Sequence, residues 1–221
     1  MDRAEVNKLK AAVAQAGRRM LAQGLVSGTA GNISVRIPGE ERILITPSQR
    51  GYERIRAGDI VTLDFEKNVL EGERKPSIEA GMHLGVYKAR PDIGAVVHTH
   101  SVYASAVASV RRAIPPFLDE MVLVLGGEIE VAEYGMPGSE ELARNAVAAL
   151  GKKNAVLLAN HGPLCCGKDL ESALGNAELV ERVAKIFVLS SLLGNPQNLP
   201  PEAVELERNI FEMRDSRGRL T

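Results

Sequence analysis

Apolar positions recur every three or four residues along the start of the chain, at Val6, Leu9, Ala12, Val13, Ala16, Met20 and Leu21. That is the period of a helix with one buried face, so a helix is predicted over residues 3–23, closed at Gly24. The pattern then shortens. Residues 32–37, 42–46 and 60–64 are brief β-like stretches divided by glycine, proline and charged turns. Helical spacing returns over 77–88, followed by the apolar segment 93–97 and a helix after Ser101. Residues 121–125 and 128–134 read as strands. Ser139, with Glu140 and Glu141 behind it, starts a helix that Gly151 ends, because a hydroxyl cap and first-turn acids satisfy the exposed N–H groups and the dipole there. Residues 155–159 form a short buried strand. Asp169 caps a long helix running toward Leu193, and a last amphipathic helix follows Pro200 and Pro201.

With no repeat, low-complexity stretch or linker, the expectation is one α/β domain over residues 1–221, its central sheet mixed or largely antiparallel and flanked by helices. Short, irregularly spaced strands argue against an alternating β/α barrel, and no G-x-G-x-x-G follows a strand as a dinucleotide fold requires. No apolar run approaches the roughly 20 residues that span a bilayer. The first residues also lack the apolar core and cleavage site of a signal peptide, so a cytoplasmic location is expected, with no membrane partner. Twenty-seven basic and 28 acidic residues give a net charge of −1, which argues against nucleic acid and anionic lipid as partners. The 2 cysteines are the adjacent Cys165 and Cys166, read as reduced, packed thiols rather than a disulfide framework.

Two of the 4 histidines stand as His98-Thr99-His100 directly after the apolar run 93–97. Strand residues two apart face the same side, so both imidazoles can address one ion from a rigid element. His161 ends a second apolar segment, and three convergent imidazoles are the usual protein ligand set of a catalytic zinc with an open position. An isolated His-x-His is also what a polar strand terminus looks like; three histidines at the ends of buried strands favour the metal. Glu79, near the start of the 77–88 helix, can serve as a fourth ligand or a base, or be a surface carboxylate. His83, one turn on, is either a partner behind the site or a hydrogen-bonded structural histidine. Thr29, Gly31 and Asn32 lie in a small-residue loop, and Ser48 and Ser77 beside prolines. Such segments make both tight turns and oxyanion pockets.

The set GTAGNISVR, LITPS, KPSIEAGMHLGVYKARPD, AVVHTHS and ANHG, spread over about residues 5–190, resembles the class II aldolase and adducin family, nearest in motif to its fuculose-phosphate aldolases. The resemblance implies zinc on His98, His100, His161 and Glu79, with manganese or cobalt as substitutes. It makes Glu79 the acid that moves the substrate proton, and lines a phosphate pocket with Thr29, Gly31, Asn32, Ser48 and Ser77. It further implies cleavage of a short ketose 1-phosphate to dihydroxyacetone phosphate and an aldehyde through a metal-stabilised enediolate, in a homotetramer with active sites at subunit contacts.

Some positions depart from the family pattern. Gln49 and Ile78 stand where the aldolase pocket carries a glycine and a serine, and Ile78 cannot donate a hydrogen bond to a phosphate. The stretch IPPFLDEMV lacks the aldolases' tyrosine and resembles the family's dehydratases, which makes Glu120 a second candidate carboxylate; otherwise Asp119 and Glu120 are surface or subunit-contact acids. A dehydratase, decarboxylase or 4-epimerase of the same fold is the alternative. The epimerase is disfavoured because it carries aspartate where this chain has Glu79. A non-catalytic binding protein is disfavoured because all the candidate ligands are present.

Overall fold

The structure, a computed structural model, describes residues 1–217. Residues 218–221, the end of the expected domain, lie outside the described residues. Helix α1 (Arg3–Ala22) leads into β1 (Asn32–Arg36), β2 (Arg42–Ile45), β3 (Val61–Asp64) and β4 (Val69–Glu71). Then come α2 (Ala80–Ala89), β5 (Ala95–His98), α3 (Val102–Ser109), α4 (Asp119–Leu125) and β6 (Val131–Ala132). The chain continues through α5 (Glu140–Leu150), β7 (Ala155–Leu158), β8 (Pro163–Gly167), α6 (Leu170–Leu193) and α7 (Pro201–Arg217). The strands form one mixed sheet in the order β4-β3-β2-β1-β5-β8-β7-β6. Of its neighbouring pairs β6–β7 is parallel and the others antiparallel.

Both faces of the sheet are covered over its central strands, so apolar residues on these strands alternate between two buried layers. Ile33 and Val35, Leu44, Ala95 and Val97, and Leu157 join the layer completed by α1, α3, α4 and α6. Ile43 and Ile45, Val96, Val156 and Leu158, and Leu164 join the opposite layer with α2 and α5. Each fully buried aliphatic side chain contributes roughly 1.5–3 kcal/mol against exposure. The period of two also decides where polar side chains point. Asn32 and Ser34 pair with His98 and Val96 and share their face, the one that α2 covers.

Several sequence expectations change. The segment expected as a strand at 121–125 is helix α4: Asp119 and Glu120 occupy its first turn, Gly126 closes it at φ 93, and its buried Met121, Val122 and Leu125 face α6 and α7. A short apolar run is ambiguous in period, and here the caps and the two facing helices decide. The strand expected over 128–134 contracts to β6, with Ile129 bridging Ile114. The helix expected from Ser77 begins at Ala80, with Glu79 as the residue before its first turn. Two strands, β4 and β8, had no expectation. Cys165 and Cys166 lie on β8 as buried thiols outside any disulfide, each facing a different apolar layer.

Candidate metal centre

β5 ends at His98, flanked by Asn32 of β1 on one side and Leu164 of β8 on the other. Beyond it the backbone of Thr99 donates to Pro163 O at 3.1 Å, and that of His100 to Leu25 O at 3.2 Å, so the His-x-His segment is held on both edges. Two glycines allow this close approach. A Cβ on Gly31 would sit 2.6 Å from His98 O, and one on Gly162 would sit 2.3 Å from Thr99 O. His161 is carried by the β7–β8 turn, where Asn160 adopts φ 56, a left-handed conformation that asparagine tolerates. The Asn160 amide donates to Ser109 O and accepts from Arg111 Nε, each at 3.2 Å, which ties the turn to the end of α3.

The three imidazoles meet with ring centroids 4.6, 4.8 and 4.9 Å apart and planes 68° to 78° from one another. One nitrogen from each lies within 4.8 Å of the others, so the cluster can coordinate a divalent ion. His98 is fully buried and His100 is the most accessible. His98 Nδ1 lies 2.9 Å from Pro163 O. A carbonyl only accepts, so the proton sits on Nδ1 and Nε2 presents a lone pair to the cluster, the outer hydrogen bond usual for a metal-ligating histidine. Burial, reinforced by His161 and His100, holds the His98 pKa well below its ordinary value. Burial and then His161 lower that of His100. Both are kept in the neutral form that a metal requires.

Glu79 completes the donor set. It is buried, with Oε2 3.5 Å from His98 Nε2 and Oε1 3.6 Å from His161 Nε2. Oε2 accepts a 2.8 Å hydrogen bond from Asn32 Nδ2, while Oε1 is buried with no hydrogen-bond partner. A buried carboxylate oxygen without a donor is costly, and His98 and His100, kept neutral, do not compensate it. A divalent cation among the four side chains does. The donor chemistry, three imidazoles and one carboxylate, fits such an ion.

The pocket candidates lie at the same end of the sheet. Ser77 N donates to Thr46 O at 3.1 Å and Ser48 N to Lys75 O at 2.9 Å, so the two serine loops run side by side, next to the Gly31–Asn32 entry to β1. Thr29 is exposed, Ser48 half-buried and Ser77 buried, its Oγ accepting from Glu79 N at 3.2 Å. Asn32 differs from expectation, since both ends of its amide are used internally, by Glu79 and by His83. Glu120 is not brought to the histidines: it pairs with Arg182 of α6, both side chains more than half exposed. Sequence reasoning left His83 open and missed its partners, Ser34 and Tyr87. His83 is fully buried, with Nδ1 2.6 Å from Ser34 Oγ, which lies 2.9 Å from Tyr87 Oη. The available signal was spacing: Glu79, His83 and Tyr87 at four-residue intervals opposite Asn32 and Ser34.

Comparison with known proteins agrees with this geometry. The sequence profile of the Class II Aldolase and Adducin N-terminal domain matches residues 11–188. The 5-deoxy-D-ribulose 1-phosphate aldolase of Bacillus thuringiensis is 37% identical over 196 residues, 89% of this chain and 92% of that protein. The 3-oxo-tetronate 4-phosphate decarboxylase of Haemophilus influenzae is 38% identical over 183 residues, 80% of this chain and 86% of that protein. Among solved structures, an L-fuculose 1-phosphate aldolase superposes with a TM-score of 0.89 at 39% identity, covering 96% of this chain and 98% of that one. No helix among the described residues is long and apolar enough to cross a membrane.

Proposed function

Because the chain belongs to the class II aldolase and adducin family, we propose that it is a metal-dependent lyase cleaving a short deoxy-ketose 1-phosphate into dihydroxyacetone phosphate and an aldehyde. The observation that carries this reading is the unpartnered Glu79 Oε1 beside the three clustered imidazoles. A divalent ion held by His98, His100, His161 and Glu79, zinc in this reading with manganese or cobalt suited to the same donors, supplies Lewis acidity at a substrate carbonyl. Glu79 is then the group within reach of the carbon beside that carbonyl, and takes or returns its proton. His98 and His100 stay neutral as donors. Thr29, Gly31, Ser48 and Ser77, with the backbone entering β1 at Asn32, hold the phosphate. Gln49 adds to this pocket a residue with φ 55, where its loop turns back toward Ser77.

The substrate class follows the two aldolases above, whose names are those of 5-deoxy-D-ribulose 1-phosphate and L-fuculose 1-phosphate. Both are ketose phosphates with a deoxygenated far end. The decarboxylase relative supports a second reading, because at 38% identity it stands no further from this chain. A carboxylate leaving as carbon dioxide also deposits a pair of electrons beside a carbonyl, so the same metal and pocket serve both reactions. The assembly in this reading is a homotetramer in which Glu120 reaches a neighbour's site.

Hydrogen–deuterium exchange of dihydroxyacetone phosphate in heavy water, followed by NMR, tests the first reading. Stereospecific exchange that requires metal and is abolished in Glu79→Gln is expected. Metal-loaded protein that exchanges nothing but releases carbon dioxide from a 3-oxo acid phosphate would transfer the assignment to the decarboxylase.

A further inference from the structure

A chain of buried polar side chains runs back from the site between α2 and β1. Tyr87, His83 and Glu79 are spaced by four on the helix, and Ser34 and Asn32 by two on the strand. Four helical residues rise about 6 Å and two strand residues about 6.6 Å, so helix and strand steps stay in register. The contacts in order are Tyr87 Oη to Ser34 Oγ at 2.9 Å, Ser34 Oγ to His83 Nδ1 at 2.6 Å, His83 Nε2 to Asn32 Oδ1 at 2.5 Å, and Asn32 Nδ2 to Glu79 Oε2 at 2.8 Å.

Donor and acceptor counting leaves this chain two arrangements. In one, His83 carries its proton on Nε2 and gives it to Asn32 Oδ1. The amide NH2 then donates to Glu79 Oε2, Nδ1 accepts from Ser34, and Ser34 accepts from Tyr87. In the other, His83 carries its proton on Nδ1 and Nε2 accepts, so the Asn32 amide must turn and present its oxygen to Glu79. Asn32 would then present an acceptor oxygen rather than a donor to Glu79 Oε2 at 2.8 Å. We infer that His83 is a positioning residue that, as the Nε2–H tautomer, fixes the Asn32 amide with its NH2 toward Glu79 Oε2, which leaves Oε1 aimed among the histidines. Burial keeps a third, doubly protonated arrangement out of reach, since it lowers the His83 pKa to about 3. The inference rests on the reading of Glu79 as a metal-site carboxylate, and its test separates the two.

Nitrogen-15 NMR of the histidine side chains in metal-free protein at neutral pH reads the tautomer directly, without metal or turnover. A neutral His83 protonated on Nε2 is expected; protonation on Nδ1 overturns the inference. The second measurement is cobalt(II) binding and its visible spectrum in His83→Leu and His83→Gln. The leucine variant should bind the ion about 10–100-fold more weakly, the cost usual for losing an outer-shell partner, with an altered spectrum. The glutamine variant, whose amide can donate to Asn32 and accept from Ser34, should recover most of the affinity and the wild-type spectrum. Wild-type affinity and spectrum in the leucine variant overturn the inference. If the leucine variant does not fold, the tautomer and the glutamine variant decide. Should wild type fail to exchange dihydroxyacetone phosphate while these results hold, the proton-transfer role of Glu79 falls and its positioning by His83 stands.

Discussion

Glu79 places a carboxylate in the interior with one oxygen satisfied by Asn32 and the other without a hydrogen-bond partner. Without an ion such a charge destabilises the fold, and removing it should relieve that cost. Metal-free Glu79→Gln is therefore expected to be at least as stable as metal-free wild type, by up to about 1–3 kcal/mol, while losing metal affinity and exchange activity; urea unfolding with and without chelator measures both. His83 gives a pH signature. Its folded pKa, about 3 because of burial, lies below the ordinary 6.5. Between those values the unfolded chain binds the proton more readily, so its contribution is present above pH 6.5 and lost as pH falls toward 3. Denaturation midpoints of His83→Gln should therefore decline less than those of wild type over that window. The metal histidines were legible from sequence because strand period alone puts His98 and His100 on one side. The Asn32–His83 contact was not, since it requires knowing that α2 lies across β1.

At the scale of elements, the centre is framed by turns that bring backbone against backbone. Gly162→Ala would drive a Cβ to 2.3 Å from Thr99 O, a backbone atom that cannot step aside. We expect a loss of about 1–3 kcal/mol from overpacking, together with substoichiometric metal, because the same turn carries His161. Gly175, within α6, meets nothing within 4 Å. Gly175→Ala should therefore gain about 0.5–1 kcal/mol from helix propensity with metal content unchanged, and thermal melts paired with metal analysis distinguish the two variants. The same contrast explains which elements could be read beforehand. Helices α1, α5 and α6 have caps or boxes at Asp2, Ser139 and Asp169, which are written in local sequence. Strand β8 starts at a proline and carries Cys165 and Cys166, a composition with no β signature. It becomes a strand because β5 and β7 offer ladders on both sides.

For the molecule as a whole, the surface around the site is more apolar than a free surface needs to be. Ile78, next to Glu79, is 64% exposed, and Val102, two residues after His100, is 69% exposed. Val110, at the end of α3, is 68% exposed. Covering them by further copies is the economical explanation, and the proposed tetramer has a mass of four times 23.8 kDa, measurable by light scattering. Such an assembly gives Glu120 a purpose that its own subunit does not: it stands away from the histidines, paired with Arg182 on an exposed face. If each site joins Glu79 of one subunit to Glu120 of the next, Glu79→Gln and Glu120→Ala should each abolish turnover alone. Unfolded together and reassembled in equal amounts, they should recover roughly a quarter of wild-type activity, since random mixing places the intact residue of each kind at one site in four. Recovery would assign Glu120 to a shared site. No recovery from correctly sized mixed oligomers would return Glu120 to a purely structural ion pair and leave the chemistry to Glu79 and the metal.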